Sequence, residues 1–351
     1  MATSSRCSTS GSPLVLRRDA LKTPSLFDID PSSSELGSAS GLWGLTRIPG
    51  VGSQTALAIA GVASSWSKLV EAPEEVIAQA GASRVKPHDL AAMGIEPVEP
   101  PKLPEGIQLI GYFDNDYPEL LRKISTAPAV LWVSGSLPSG KLAAVVGTRN
   151  PTNPGVERVQ KLVKILVEKG YGIVSGLALG VDTVAHEAAL ANGGRTWAYL
   201  GSGVDSPSPA ENKGLAESII ASGGGLLSEC DLSEPVSAHS LVARDRLQSG
   251  TSDFTIIGQS GVPSGTLHTA RFTLEQERPL LVVAPPESES EHSAWEGNKA
   301  LSDPNGCNPE ILKTTTKKSF LLISNRKPVS DVILRNSEDL KSFLTSFQRK
   351  S

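Results

Sequence analysis

The stretch LAAVVGTRNPTNPG at residues 142–155, followed by VERVQKLVKILVEKG at 156–170, decides the fold. An apolar run stops at Gly147, Arg149 follows in a turn-rich loop, and a helical pattern begins near residue 154. A strand, a glycine-containing loop and a helix in this order are typical of sites that hold phosphate. The phosphate could belong to a nucleotide cofactor, to a substrate or to a nucleic-acid backbone.

Short apolar runs alternate with helical patterns from about residue 107 to 285. The predicted strands are 142–147, 171–175, 195–201, 224–228, 253–258 and 279–284. The predicted helices between them start near residues 154, 182, 210, 241 and 265. This alternation predicts an α/β fold with a Rossmann-like, doubly wound and mostly parallel sheet. Ligands of such folds bind at the carboxyl ends of the strands.

Composition shifts divide the chain into five segments. We predict a disordered leader at 1–40, a small helical module at 41–97, a Pro-rich linker at 98–106, the Rossmann-like domain at 107–310 and a basic C-terminal extension at 311–351. The leader is expected to be a flexible segment and not a targeting peptide. In the extension, SFLLISN at 319–325 predicts a strand and SEDLKSFLTSF at 337–347 predicts a short capped helix.

Composition also excludes several classes of protein. The chain has 351 residues, is 39% apolar and carries a formal net charge of −4, so nucleic-acid binding requires a local basic patch. No apolar run approaches the roughly 20 residues that span a membrane. Three cysteines without metal-ligand spacing, Cys7, Cys230 and Cys307, argue against a metal site and favour the cytoplasm. No cofactor is expected.

Candidate binding residues follow the predicted strands. They are Gly147, Thr148, Arg149, Asn150, Ser175, Gly176, Arg244, Arg246, Ser264, Gly265 and Thr266. The first loop is not GxGxxG and has no Walker lysine, but Arg149 supplies a planar fork suited to phosphate. Arg244 and Arg246 do not share one helix face, so one is expected to grip ligand while the other pairs internally.

Asp182 and His186 lie four residues apart in the loop and helix that follow the second strand. A functional interpretation makes them an acid/base or ligand pair. In the structural interpretation, which we favour, Asp182 caps the helix and His186 satisfies a buried hydrogen bond. No nucleophile or metal partner accompanies them, so no catalytic residue is predicted.

The helical module contains IPGVGSQTALAIA at residues 48–60, which resembles the hairpin of a helix-hairpin-helix motif, as in SAM-like modules. Its glycines Gly50 and Gly52 are candidate DNA contacts, because free N–H groups at the following helix start can face a phosphate. The basic residue usual shortly after the second glycine is missing. We favour the alternative, in which this hairpin only connects two packed helices.

Together these motifs resemble the DprA/Smf family of DNA-processing proteins. The resemblance covers about residues 107 to 300 and rests on DYP at 116–118, VVGTR at 145–149, SGLALGVDTVAHEAAL at 175–190, LGSGVD at 200–205, LSE at 227–229, SGTLHTA at 264–270, VVAP at 282–285 and EGNK at 296–299. It implies binding of single-stranded DNA without catalysis during natural transformation, protection of incoming DNA, help in loading RecA recombinase, and a homodimer.

Several residues depart from the family pattern. The family's Gly-Ser-Arg corresponds to 147–149 with Thr148 in place of Ser, and its Arg-Asn-Arg corresponds to 244–246 with Asp245 in place of Asn. Leu241 and Val242 replace a Phe-Pro, and Ser208 replaces the Tyr of a Tyr-Pro. Many members end in a winged-helix module, and we expect none here because only about 40 residues follow residue 310. We therefore expect weaker DNA binding or adaptation to another ligand, since an aromatic platform contributes roughly 1–3 kcal/mol per base.

Two other functions remain open. A nucleotide-sensing module would bind a small phosphorylated ligand in the same pocket. A nucleotide phosphoribohydrolase, as found among related Rossmann-like folds, would need a Glu within a few residues of its Gly-Thr, whereas the next Glu after Thr266 is Glu275.

Overall fold

The computed structural model describes residues 30–313 and 316–348. The predicted leader up to residue 29, with Cys7, lies outside the described residues. Residues Pro31–Ser33 form a 3₁₀ turn and Leu36 is fully buried, so ordered structure begins before the predicted boundary at residue 41.

Five helices form the N-terminal module. They are α1 (Ala39–Leu45), α2 (Ser53–Val62), α3 (Trp66–Glu71), α4 (Pro73–Gln79) and α5 (Pro87–Ile95). Proline begins α4 and α5, where its missing N–H costs no helical hydrogen bond. Leu42 and Leu45 of α1 share one apolar core with Val130 and Trp132 of the following domain. The module is therefore packed against the sheet, and residues 98–106, which form neither helix nor strand, connect the two.

Nine strands among the described residues form one sheet. They are β1 (Ile107–Gly111), β2 (Val130–Gly135), β3 (Lys141–Val146), β4 (Tyr171–Ser175), β5 (Thr196–Tyr199), β6 (Gly225–Ser228), β7 (Phe254–Ile257), β8 (Leu280–Val283) and β9 (Val332–Leu334). The helices that accompany them are α6 (Glu119–Arg122), α7 (Asn153–Glu168), α8 (Val181–Ala191), α9 (Lys213–Ala221), α10 (Ala238–Thr251), α11 (Thr266–Glu275), α12 (Glu296–Ser302), α13 (Lys317–Ser324) and α14 (Ser337–Ser346).

The strand order is β1-β2-β6-β5-β4-β3-β7-β8-β9. The seven strands from β6 to β9 run parallel, while β1 and β2 form an antiparallel edge. The chain builds outward from β3 through β4, β5 and β6, then returns to place β7 on the other side of β3. The predicted fold class is confirmed, and its topological switch point lies between β3 and β7, where doubly wound sheets bind ligands.

The C-terminal residues differ from their predicted organisation. Strand β9 pairs with β8, and Leu340 of α14 is buried in the same core as Val145 of β3, so residues after 310 continue the sheet domain. The predicted strand at 319–325 is wrong, because this segment is helix α13. Thr316 caps it by accepting from the Ser319 N–H (3.1 Å), and Ile323, four residues on, is buried. The predicted helix at 337–347 is confirmed as α14, which starts with an Asn336 capping box.

Within residues 30–313 and 316–348, no helix combines the length and apolar character that crossing a bilayer requires.

Candidate nucleic-acid interface

A cleft of about 430 Å³ opens at the carboxyl ends of β3 and β7, above the switch point. Its walls come from the loop after β3, the first turn of α8, the middle of α10 and the start of α11. The lining includes Thr148, Arg149, Asp182, Arg244, Asp245 and Thr266. Four segments that are distant in sequence therefore meet at one polar site.

The loop after β3 is fixed to its neighbours by its backbone. The Thr148 N–H donates to the Gln259 carbonyl (2.7 Å), and the Thr148 carbonyl accepts from the Val181 N–H (3.0 Å). A Cβ on Gly147 would lie 2.6 Å from a methyl of Val181 and 2.7 Å from the Gln259 carbonyl oxygen. Glycine is thus required here for close packing of the loop, and this packing fixes the direction in which Arg149 leaves the sheet.

Arg149 is exposed at the rim of the cleft. Among the described residues, no ion pair or hydrogen bond occupies its guanidinium. Asn150 is exposed beside it, and its backbone N–H donates to Thr148 Oγ1 (3.3 Å). A guanidinium with free donors at a cleft rim can bind a phosphate bidentately.

The opposite wall is the N-terminus of α11. Its N-cap is Gly265, which provides no capping side chain, and the Thr266 N–H donates to Ser264 Oγ (3.2 Å). A Cβ on Gly265 would meet no atom within 4 Å, so this turn faces open space. The partial positive charge of a helix N-terminus favours an anion there. The structure therefore brings the first and last predicted loops together around one cleft.

Arg244 forms the floor of this cleft and is almost fully buried. Its Nη1 donates to the Tyr199 carbonyl (3.0 Å), its Nη2 lies 3.7 Å from Asp182 Oδ2, and its Nε lies 3.1 Å from Asp245 Oδ1. With its amide oxygen turned toward Arg244, Gln248 also accepts from Nη1 (2.5 Å). The carboxylates of Asp182 and Asp245 thus offset most of the positive charge of Arg244, which we predicted to bind ligand.

Ser175 and Gly176 lie beneath this floor. Ser175 is fully buried and donates to the Val145 carbonyl (2.7 Å). A Cβ on Gly176 would lie 1.1 Å from Nη1 of Arg244, so the glycine makes room for the guanidinium. Their burial disfavours the predicted contact with nucleic acid, which stays a prediction.

Arg246 points to the other side of α10. Its Nη1 and Nη2 donate to the two carboxylate oxygens of Glu229 (2.5 and 2.6 Å), and its Nε donates to the Thr126 carbonyl (3.1 Å). The predicted separation of the two arginines is observed, but Arg246 does not line the cleft. The internal bidentate pair occupies its donors and disfavours its predicted role in binding, which stays a prediction.

Asp182 and His186 both order the loop after β4. Helix α8 begins at Val181 with Gly180 as N-cap, so Asp182 is the second helical residue and not the predicted cap. Burial raises the pKa of Asp182, against the opposing effects of the Arg244 charge and of hydrogen bonds from nearby backbone. Its carboxylate faces the cleft floor.

His186 is fully buried, and burial and the Arg244 charge lower its pKa to about 3, so the ring is neutral. Thr196 Oγ1 donates to the Ile173 carbonyl (2.8 Å) and therefore accepts from His186 Nδ1 (2.7 Å). The unprotonated Nε2 then accepts from the Leu177 N–H (3.3 Å). Leu177 has a φ of 60°, a costly conformation for a leucine, which this histidine helps to hold.

Three titratable residues of the cleft are not among the candidate binding residues that the sequence predicts. Asp245 was noticed only as a departure from the family, while His268 and Lys313 were not singled out, although all three line the cleft. Burial, Lys313 and Arg271 lower the pKa of His268, so its ring is neutral near neutral pH. His268 could be predicted from its position in the first turn of the helix that follows SGT. Lys313 could not, because it lies in a turn far from the cleft loops in sequence.

The hairpin glycines of the helical module lie outside this cleft. Gly50 has a φ of 83° and is exposed, and exposed Gly52 is the N-cap of α2. Close by, the Gln54 side chain donates to the Ala127 carbonyl (2.9 Å), which ties the start of α2 to the sheet domain. DNA contact by these glycines stays a prediction.

A doubly wound parallel sheet with a polar cleft at its switch point defines a Rossmann-like, ligand-binding α/β protein. A family model described as DNA recombination-mediator protein A matches residues 108–307. The chain belongs to that family, and its resemblance to DprA/Smf proteins is confirmed.

Two relatives illustrate the similarity. Protein Smf of Synechocystis sp. is 39% identical over 171 residues, which cover 47% of this chain and 43% of that protein. DNA processing protein DprA of Bacillus subtilis is 37% identical over 194 residues, which cover 52% of this chain and 65% of that protein. The chain thus matches less than two thirds of the length of these relatives.

Solved structures extend the comparison. DNA processing protein A from Streptococcus pneumoniae has a TM-score of 0.65 and 24% identity, covering 91% of this chain and 99% of that one, which shows the shared fold. DNA processing protein A from Helicobacter pylori has a TM-score of 0.53 and 25% identity, covering 69% and 97%, and its structure was described for its single-stranded DNA binding mode.

Proposed function

We propose that this protein binds the backbone of single-stranded DNA in the cleft, without sequence preference and without catalysis, as part of DNA processing in transformation. The observation that carries the proposal is the exposed, unengaged guanidinium of Arg149 opposite the start of α11, whose N-cap Gly265 has no capping side chain. Membership of the family and the DNA-binding relative from Helicobacter pylori support it.

The charges around the cleft favour an anion only moderately. Arg149 and Lys313 supply positive charge at its surface, while Asp182 and Asp245 offset Arg244 at its floor. Leu241 and Val242 line the wall where related proteins carry an aromatic residue. A base therefore gains less stacking energy here, and we expect weaker binding than in a member that retains the aromatic platform.

We also propose, from family membership, that the protein delivers bound strands to a RecA-type recombinase and forms a homodimer. Sedimentation velocity over a concentration series tests the dimer. Co-sedimentation with recombinase, with and without oligo-dT, tests the second partner. A monomer at all concentrations, or no recombinase contact with DNA present, would remove the corresponding part of the proposal.

The alternative functions make different demands on the cleft. A volume of about 430 Å³ also suits a single small nucleotide, which keeps the sensing function as the second candidate. For hydrolysis, the cleft carboxylates Asp182 and Asp245 are engaged with Arg244, and Glu275 lies at the far end of α11 beside Arg271. The hydrolase function thus has the weaker support.

Fluorescence anisotropy with labelled oligo-dT across a salt series tests the proposal. We expect Arg149→Ala to weaken binding by about tenfold or more and to make the salt slope shallower by about 0.7, the value for one phosphate contact on a single strand. The matched control is Arg195→Ala, because Arg195 is an exposed arginine at the opposite end of the sheet.

Equal binding by the wild type and Arg149→Ala would refute this site. A shallow wild-type salt slope together with tight binding of a mononucleotide would favour the sensing function, because a single small ligand releases few counterions.

A further inference from the structure

The segment between β8 and α12 contacts the loop that carries Arg149. Glu289, in a 3₁₀ turn of this segment, is half-buried, and its Oε2 accepts from Thr152 Oγ1 (2.7 Å). The same oxygen accepts from Nε1 of Trp295 (2.7 Å), whose side chain is fully buried. One carboxylate oxygen thus joins a rigid part of the core to the loop after β3.

Thr152 is the second of two points at which this loop is held. Its N–H donates to Oε1 of Gln259 (2.8 Å), and its hydroxyl accepts from Nε2 of the same side chain (3.1 Å). Gln259 is fully buried, and its carbonyl holds Thr148, as described above. Arg149 therefore lies between two anchored residues, and Glu289 reaches the second anchor from the segment before α12.

The negative charge of Glu289 makes it possible to distinguish two effects of this residue on DNA binding. A carboxylate near an anion site repels the ligand, so electrostatics alone predicts tighter DNA binding when the charge is removed. A carboxylate that fixes the loop predicts the opposite, because a guanidinium held in place loses less conformational entropy when it binds. The two effects differ in sign and can be separated.

We propose that Glu289 is a positioning residue for Arg149: its contacts with Thr152 and Trp295 hold the loop so that the guanidinium faces a DNA phosphate. This inference rests on the proposed function, because it names a residue that serves the same site. Gln259 holds the other side of Thr152, and Glu289 adds the contact that a side-chain substitution can remove without disturbing a strand.

Three variants and one double variant test the inference by oligo-dT anisotropy. Glu289→Ala removes both contacts, and we expect binding to weaken about five- to tenfold, as the loss of a charged hydrogen-bond acceptor implies. Glu289→Gln keeps an acceptor oxygen but no charge, and we expect wild-type or tighter binding. Glu291→Ala is the matched control: Glu291 lies two residues on, its side chain is 93% exposed, and its only recorded pair within the described residues is with Lys299.

The double variant shows whether Glu289 acts through Arg149. In an Arg149→Ala background, Glu289→Ala should cause no further loss, whereas an equal loss in both backgrounds would overturn the inference. Unchanged or tighter binding by Glu289→Ala would also overturn the inference, because it would mean that the carboxylate affects DNA binding only through its charge. If Arg149→Ala alone leaves binding unchanged, the proposed site fails, and that result is distinct from a failure of Glu289. Thermal unfolding of each variant verifies that the fold is retained.

Discussion

Asp245 lies in the cleft wall with its carboxylate against the buried guanidinium of Arg244. Burial raises its pKa from 3.8 to about 7; Arg244 opposes the shift, Asp182 adds to it, and Arg149 and Arg271 oppose it. The folded protein therefore holds a proton that the unfolded chain releases at lower pH. The contribution of Asp245 to stability is accordingly lost as pH rises from about 4 to about 7.

The same proton links DNA binding to pH. A phosphate in the cleft favours the protonated carboxyl, so we expect oligo-dT affinity to rise about three- to tenfold as pH falls from about 8 to about 6. His268 also lines the cleft, and burial together with Lys313 and Arg271 lowers its pKa below the ordinary histidine value. Asp245→Asn should flatten the profile and bind at least as tightly as the wild type at the higher pH. Anisotropy at constant ionic strength measures both, and an unchanged profile in the variant would refute the linkage.

The sequence predicts well the elements whose boundaries follow from a local residue pattern. It does not predict the features that depend on contacts between residues far apart in the chain. Strands β3 to β8 are short and mostly apolar, so their burial in a parallel sheet is predicted from the sequence. Helix α13 was mistaken for a strand because its apolar run carries no clear period, and only its Thr316 cap and tertiary packing make it helical. The sequence predicts the positions of the loops after β3 and β7. It does not predict the burial of Arg244 and Ser175, because that burial depends on which side chains pack over them.

The contribution of α14 to stability can be tested by comparing a buried leucine of α14 with an exposed leucine of α13. Leu340 is fully buried against the sheet, whereas Leu321 of α13 is 50% exposed. We expect Leu340→Ala to lower the free energy of unfolding by about 2–4 kcal/mol, and Leu321→Ala by less than about 1 kcal/mol. Urea denaturation followed by circular dichroism compares the two. Similar small losses would mean that α14 is not part of the sheet core.

At the scale of the whole molecule, the helical module is joined to the sheet by polar contacts as well as by its core. Trp43 Nε1 donates to Asp231 Oδ1 (2.7 Å), and Arg47 pairs with Oδ2 of the same carboxylate. Asp231 follows strand β6, so one side chain connects the helical module to the first of the parallel strands. Module and sheet should consequently unfold together.

Removing that carboxylate tests the connection. We expect Asp231→Ala to lower stability by about 1–2 kcal/mol, because the Trp43 N–H loses its acceptor and Arg47 its partner. Exposed Asp116 supplies the control variant Asp116→Ala, for which we expect no measurable change. Differential scanning calorimetry reports both. A wild-type chain that melts in two separate transitions would contradict the joint unfolding of module and sheet.

The return of the chain to the middle of its own sheet has a consequence for biosynthesis. Strand β7 pairs with β3 only after roughly a hundred further residues have been made, so the central pairing is among the last that a nascent chain can form. Until then β3 presents an open edge, and the wall supplied by α11 does not yet exist. The cleft of a growing polypeptide is therefore incomplete until the residues of α11 have been made.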